Sequence, residues 1–378
     1  MPRPPAPRLR IPRAMSHPDP YTEIRLLGLR TLRGANFWSR RPVTRMDVHP
    51  GAYDDISSAE VAGVTGALVE ALPGLWEHRC SIGERGGFVT RLRRGTYAPH
   101  IAEHVGLELQ SMMGHDVGYG RARGGDRPGE YTVVLEHLHA AVGERSASLA
   151  LEVVQRAFAG ELERATVDAA LAELTALAAG PDDPRPSRRV LCGITGGGDR
   201  AGVRDRMAAL GVSTDQVVDV APACLLTEGL TYRRSEIAVV LDAEPDDVAE
   251  RYRDPELAQR LVSVVADVVV DGGIVVCPAK EWEVQDLARE AGCRVAIFSA
   301  ADDVTARDAK VASAVARVRK GRIVLEIGDS TEDAGELTDA AAPAVQVAAA
   351  LAVRALKGVM EDVDEGEVER DGAAGEQR

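Results

Sequence analysis

Three observations predict an α+β N-terminal domain followed by a doubly wound α/β domain. The first 160 residues mix strand-like and helix-like patterns without regular alternation. From about residue 189 short apolar runs alternate with amphipathic stretches, as in parallel strands joined by helices. Between the two lies Pro181-Asp182-Asp183-Pro184-Arg185-Pro186, the clearest linker in the chain. The expected organisation is a flexible N-terminal extension (1–21), the α+β domain (22–160), a helix and linker (161–187), the α/β domain (188–358) and an acidic disordered tail (359–378).

Taken in order, residues 24–32 read as a strand, and Arg33-Gly34-Ala35-Asn36-Phe37-Trp38 as a turn. Residues 57–72 carry helical spacing (Val61, Val64, Leu68, Leu72), with Ser58 as N-cap and Pro73-Gly74 as the stop. Residues 81–87 form a Gly-rich loop, and 97–113 a helix ended by Gly114. Residues 131–139 alternate as a strand, with Val133, Leu135 and His137 on one face and Val134 and Glu136 on the other. Helices are expected over 145–158 and 161–179. Beyond the linker, strands at 189–195, 237–241, 273–276, 294–298 and 322–327 alternate with helices at 201–210, 255–270 and 281–291, before a final Ala/Val-rich helix at 342–356.

A net charge of −14 argues against general affinity for nucleic acid or anionic lipid. No apolar run of eighteen residues is apparent, so no membrane span is expected. The five cysteines are scattered with no C-x-x-C pair, which predicts free thiols in a cytoplasmic protein.

All eight histidines precede residue 140, and the first lysine is Lys280. His100-Ile101-Ala102-Glu103-His104 is an H-x-x-E-H motif within a helical pattern. Two histidines four apart share one helix face and reach a single metal ion, while the intervening Glu is placed to act as general base. A catalytic zinc needs a third protein ligand and an open position. Glu136, on the next clear strand, is the expected third ligand, with Glu108, one turn after His104, as the alternative. Arg85, Arg94 and Arg121 are expected to bind a substrate carboxylate.

Arg33–Ser39, Arg85-Gly86-Gly87-Phe88, His100–Gln110 and Val117-Gly118-Tyr119-Gly120-Arg121 occur in that order, and together they resemble the N-terminal domain of cyanophycin synthetase over about residues 24–160. In that family an ATP-grasp module and a Mur-ligase-like domain follow. Here barely thirty residues separate Phe158 from the strand at Arg189, so the resemblance implies that the ATP-grasp module is missing. The second domain then resembles a degenerate, P-loop-derived Mur-ligase-like domain, with Thr227-Glu228-Gly229-Leu230-Thr231-Tyr232-Arg233 matching a further family segment. Gly193-Ile194-Thr195-Gly196-Gly197-Gly198-Asp199-Arg200 stands where the family has its P-loop, yet lacks the Lys and the Ser/Thr that hold phosphate and magnesium. Gly196, Gly197 and Gly198 are accordingly expected to form a structural turn, and no ATP is expected as cofactor.

In some synthetases the N-terminal domain looks like a metallopeptidase that trims the polymer into primers. The resemblance therefore implies a zinc-dependent hydrolase acting on a peptide or isopeptide of the β-aspartyl-arginine type, with no ATP-dependent ligation. The alternative is a non-catalytic substrate-binding or scaffold subunit, its pseudoenzyme domain partnering a separate ATP-grasp or Mur-type ligase. A homo-oligomer is expected in either case.

Overall fold

The computed structural model describes residues 17–182 and 185–375. The first domain opens with a single helical turn, α1 (Pro20–Glu23), whose N-cap Asp19 accepts the Tyr21 N–H. Strands β1 (Arg25–Leu32) and β2 (Val43–His49) follow as an antiparallel pair. Then come α2 (Val64–Ala71), α3 (Gly87–Arg94) and the motif helix α4 (Ala98–Met112). Strands β3 (Gly120–Gly124) and β4 (Tyr131–Glu136) complete a four-stranded sheet of order β1-β2-β4-β3. Two helices, α5 (Ala140–Ala159) and α6 (Arg164–Ala178), close the domain, and Val167, Ala170 and Leu174 of α6 lie in its core.

The second domain contains β5 (Arg189–Thr195), α7 (Arg200–Ala209), β6 (Val217–Asp219), α8 (Pro222–Thr227) and β7 (Arg234–Val240). It continues through α9 (Pro255–Val262), β8 (Val269–Pro278), α10 (Trp282–Glu290), β9 (Arg294–Phe298) and α11 (Ala306–Val311). Strands β10 (Ala314–Arg319), β11 (Arg322–Ile327) and β12 (Ser330–Glu336) precede the long helix α12 (Pro343–Gly375). The sheet runs β12-β11-β10-β9-β8-β7-β5-β6, parallel from β6 to β10, with β11 and β12 added antiparallel at one edge. Leu261, Val262, Val284 and Ala288 from α9 and α10 cover one face, while Val203 and Met207 of α7 and the apolar side of α12 cover the other. The doubly wound arrangement expected from the alternating pattern is the one observed.

Several elements differ from expectation, each for a physical reason. The helix expected over 57–72 begins only at Val64, because Gly63 takes φ +91° and Ser58 turns its hydroxyl to the Leu92 carbonyl. The helix expected over 255–270 leaves α geometry at Ser263 and continues as 3-10 turns to Val268. The tail expected from 359 instead prolongs α12 to Gly375. Residues 1–16 of the expected extension, 183–184 of the linker and 376–378 of the tail lie outside the described residues. Pro343–Glu361 is long and apolar enough to cross a membrane by length and composition. Its Val347, Ala348, Leu351 and Ala352 are buried against the sheet, as in the core helix of a globular domain.

The two domains are joined by main chain as well as by side chains. Arg33 N–H donates to the Glu228 carbonyl, Phe37 N–H to that of Leu225, and Leu230 N–H to that of Ala35, at 2.8–3.0 Å. Gly34 permits this approach: a Cβ there would lie 2.1 Å from the Leu230 carbonyl oxygen. Leu32, Val43 and Val134 of the first domain share one apolar cluster with Leu225, Tyr232 and Val265 of the second.

Candidate metal centre

Helix α4 is held at its start by Pro99 in the first turn and runs buried through most of its length. It lies on the Val133/Leu135 face of β4, and Gly106 allows contact: a Cβ there would stand 2.5 Å from Leu135 Cδ1. This burial turns His100 and His104 toward the loop before α3, not toward solvent. His104 is 6% exposed and Glu103 8% exposed, so both are withdrawn from water.

Cys80, His100 and His104 each offer a ligand atom, and these atoms lie within 4.8 Å of one another. Cys80 Sγ is 3.4 Å from His100 Nε2, close to the roughly 3.6 Å that two ligands of one tetrahedral zinc adopt. The Thr96 hydroxyl pairs with His100 Nδ1 at 2.7 Å, leaving Nε2 facing the thiol. Phe88 stacks on His104 with ring centroids 3.8 Å apart and planes at 22°, fixing its orientation. Cys80 takes φ 52°, an unusual left-handed conformation for a residue with a Cβ.

Beyond these three stands His78. Its Nδ1 is 2.9 Å from His104 Nδ1, and its Nε2 is 3.1 Å from Glu108 Oε2. With His78 neutral, its Nε2–H donates to Glu108 and its Nδ1 accepts from His104 Nδ1–H. The Nε2 lone pair of His104 is then available for a metal, the arrangement carboxylate–histidine pairs impose on metal ligands. Burial, with His100 and His78 nearby, lowers the His104 pKa to about 2. Burial, with Arg91, lowers that of His100 to about 4. Both imidazoles are therefore neutral and ready to ligate at neutral pH.

Glu103 lies beside β3, where Gly120 makes room: a Cβ at Gly120 would be 2.8 Å from Glu103 Cγ. Burial raises its pKa to about 7, against the lowering effects of Arg121 and of the Ala122 N–H. A carboxylate poised there exchanges a proton readily near neutrality.

The structure does not bring Glu136 to the histidines. Strand alternation puts it on the Val134 face of β4, opposite to α4. One carboxylate oxygen takes Arg41 Nη1 at 2.7 Å, and the other takes the N–H groups of Gly118 and Tyr119 at 3.2 and 3.1 Å. Cys80, a free thiol like the other four cysteines, is the third donor-type side chain beside the two histidines. Glu108, the alternative, reaches His104 only through His78. Of the arginines, Arg121 is exposed on β3 and acts on Glu103 through its charge, Arg85 is spent on Glu77 at the surface, and Arg94 is exposed at the end of α3. Neither His78 nor Cys80 stood out in the sequence. The available signal was His78-Arg79-Cys80, two ligand-type residues two apart, directly before the Gly-rich loop.

At the α/β domain's switch point, Gly196–Gly198 follow β5 as a turn, with Gly196 at φ +123°. The Asp242 carboxylate accepts the N–H groups of Gly197 and Glu244 at 2.7 and 3.0 Å. Asp199 caps α7 through the Gly202 N–H. Of the amides in the Gly196–Gly198 turn, that of Gly197 meets the protein's own carboxylate.

Fold and site together define an α+β domain carrying an H-x-x-E-H helix beside a Cys/His loop, followed by a doubly wound domain. Residues 44–159 match the cyanophycin synthase-like N-terminal domain family. Over 136 residues it is 44% identical to the cyanophycin synthetase of Trichormus variabilis (strain ATCC 29413 / PCC 7937), covering 35% of this chain and 15% of that protein. The cyanophycin synthetase of Crocosphaera subtropica (strain ATCC 51142 / BH68) is 43% identical over 134 residues, 34% of this chain and 15% of the relative. The match thus spans 15% of the length of these curated relatives. Among solved structures, similarity is found to the UDP-N-acetylmuramoylalanyl-D-glutamyl-2,6-diaminopimelate--D-alanyl-D-alanyl ligase from Acinetobacter baumannii. There the TM-score is 0.31 and the identity 10%, over 45% of this chain and 43% of that one. For MurF from the same organism the TM-score is 0.32 at 10% identity, over 57% and 47% of the two chains.

Proposed function

We propose that the N-terminal domain is a zinc-dependent hydrolase centre acting on a peptide or isopeptide related to cyanophycin. The observation that carries this reading is the convergence of Cys80, His100 and His104 on one donor set, with the buried Glu103 on the same helix as the two histidines. A Cys/His₂ donor set suits zinc and leaves one tetrahedral position open. Zinc bound there supplies Lewis acidity for hydrolysis at neutral pH.

The chain's own groups do the rest. Glu103 accepts a proton from the attacking water on its carboxylate and returns it to the leaving amine. Arg121, exposed beside it, offers a guanidinium for a substrate carboxylate. His78 and Glu108 hold the His104 ring. No nucleotide enters the reaction, a reading supported by Asp242 accepting the Gly197 amide in the Gly196–Gly198 turn. A cytoplasmic location accords with five free cysteines.

The test is cleavage of β-aspartyl-arginine peptides by zinc-loaded protein and by its Glu103→Gln variant. Turnover by the wild type, lost by about 10²–10⁴-fold in a variant that keeps its zinc, is the expected result. Equal rates in the two proteins would refute the assignment of the base.

A second reading has an observation of its own: the α/β domain has an eight-stranded sheet and a main-chain clasp on the first domain, while Asp242 takes the Gly197 amide of its glycine turn. In that reading the chain presents substrate to a separate ligase. Co-purification of a stoichiometric ATP-grasp or Mur-type ligase from the native host, with no hydrolysis, would favour it.

A further inference from the structure

Two adjoining cavities lie at the seam between the domains, at the amino-terminal ends of β5, β7 and β8. The first, about 410 Å³, is lined by Arg33, Arg40, Arg41 and Arg233 among others, with no carboxylate in its wall. The second, about 400 Å³, is lined by Arg189, Arg233 and Arg234, with Asp271 as its one acidic residue. Ser187 and Arg233 belong to both, so the two form one continuous trough. In a chain of net charge −14, this concentration of guanidinium groups creates a local field opposite in sign to that of the whole molecule.

We propose that this trough is a binding site for an extended acidic peptide, whose successive carboxylates the arginines engage. Each guanidinium carries five N–H donors, and the internal contacts use few of them. Arg41 spends Nη1 on Glu136 and Arg189 spends Nη2 on Glu236, yet both side chains remain 67% exposed. Arg40 faces Asp267 and stays 63% exposed. The Arg233 side chain has no ion-pair or hydrogen-bond partner among the described residues, and it stands where the cavities meet. Planar guanidinium forks spread along a trough suit a row of carboxylates better than one compact anion.

Single-stranded nucleic acid is disfavoured, because base stacking needs an accessible aromatic face. Tyr232, the aromatic residue lining the trough, is 1% exposed. The site lies at the opposite strand ends from the Gly196–Gly198 turn, and it does not depend on a metal in the first domain.

The experiment is fluorescence anisotropy of labelled deca-aspartate titrated with the full chain, without zinc. This peptide contains no β-aspartyl-arginine bond, so the outcome is independent of the hydrolase reading. Binding at low ionic strength that weakens as salt approaches about 0.15 M is expected. The double variant Arg189→Gln/Arg233→Gln, verified as folded by circular dichroism, should bind at least about tenfold more weakly. Arg307→Gln, on α11 and away from the seam, should bind as the wild type does. No binding at low salt, or equal affinity in the double variant, overturns the proposal. Deca-thymidylate binding as tightly as the peptide would also overturn it, reassigning the trough to nucleic acid.

Discussion

His104 is oriented by more than its place in a motif. The Phe88 ring stacks on it, His78 takes its Nδ1, and Glu108 fixes His78 in turn. Close packing extends to the backbone, since a Cβ at Gly74 would lie 1.9 Å from Glu108 Oε1. His78→Gln should therefore lower zinc affinity by about 10–100-fold while leaving all three ligands in place. Competition with a chromogenic chelator measures this directly. Unchanged affinity would show that His78 does not position the ring, and complete loss of zinc would make His78 a ligand instead. At this scale the sequence made His100, Glu103 and His104 legible, because a period of four on a helix is a local property. Cys80 and His78 were not legible: they reach the histidines through a loop whose path depends on Gly83, Gly86 and Gly87, which no periodicity encodes.

Strand β4 shows why one expected ligand was misplaced. Alternation correctly separated Val133 and Leu135 from Val134 and Glu136, but which face meets α4 is settled only by packing. Leu135 against Gly106 decides it, and Glu136 is left facing Arg41. The long apolar strands of the second domain were legible for the same reason that helix α4 was: burial on both faces leaves continuous Val/Ile runs. Strands β2, β3, β10 and β12 were not, since Arg and Gly interrupt them and their pairing partners are distant in sequence or at an edge. The segment at Arg33–Trp38 was expected to be a turn and also proves to be the clasp between domains. Gly34→Ala drives a Cβ into the Leu230 carbonyl and should cost about 1–3 kcal/mol in urea denaturation. A variant as stable as the wild type would mean the clasp yields without strain.

Across the whole molecule, stability should fall on mild acidification, and His137 isolates one share of the effect. Burial lowers its pKa to about 4 from the ordinary 6.5, and its Nδ1 lies 3.1 Å from the Thr44 hydroxyl. The unfolded chain binds this proton between those values and the folded chain does not. The contribution is therefore complete above about pH 6.5 and is lost as pH falls toward 4. Comparing urea midpoints at pH 7 and near pH 4.5, the wild type should lose about 1–3 kcal/mol more than His137→Asn. Parallel losses in the two proteins would remove His137 from the account. The central claim concerns the first domain: Cys80, His100 and His104 form one zinc site. Its most direct test is the metal content of the purified chain by elemental analysis, with Cys80→Ala beside it. About one zinc per wild-type chain, and far less in Cys80→Ala, is the predicted result. Wild-type protein that is metal-free as purified and takes up no zinc when it is added would contradict it.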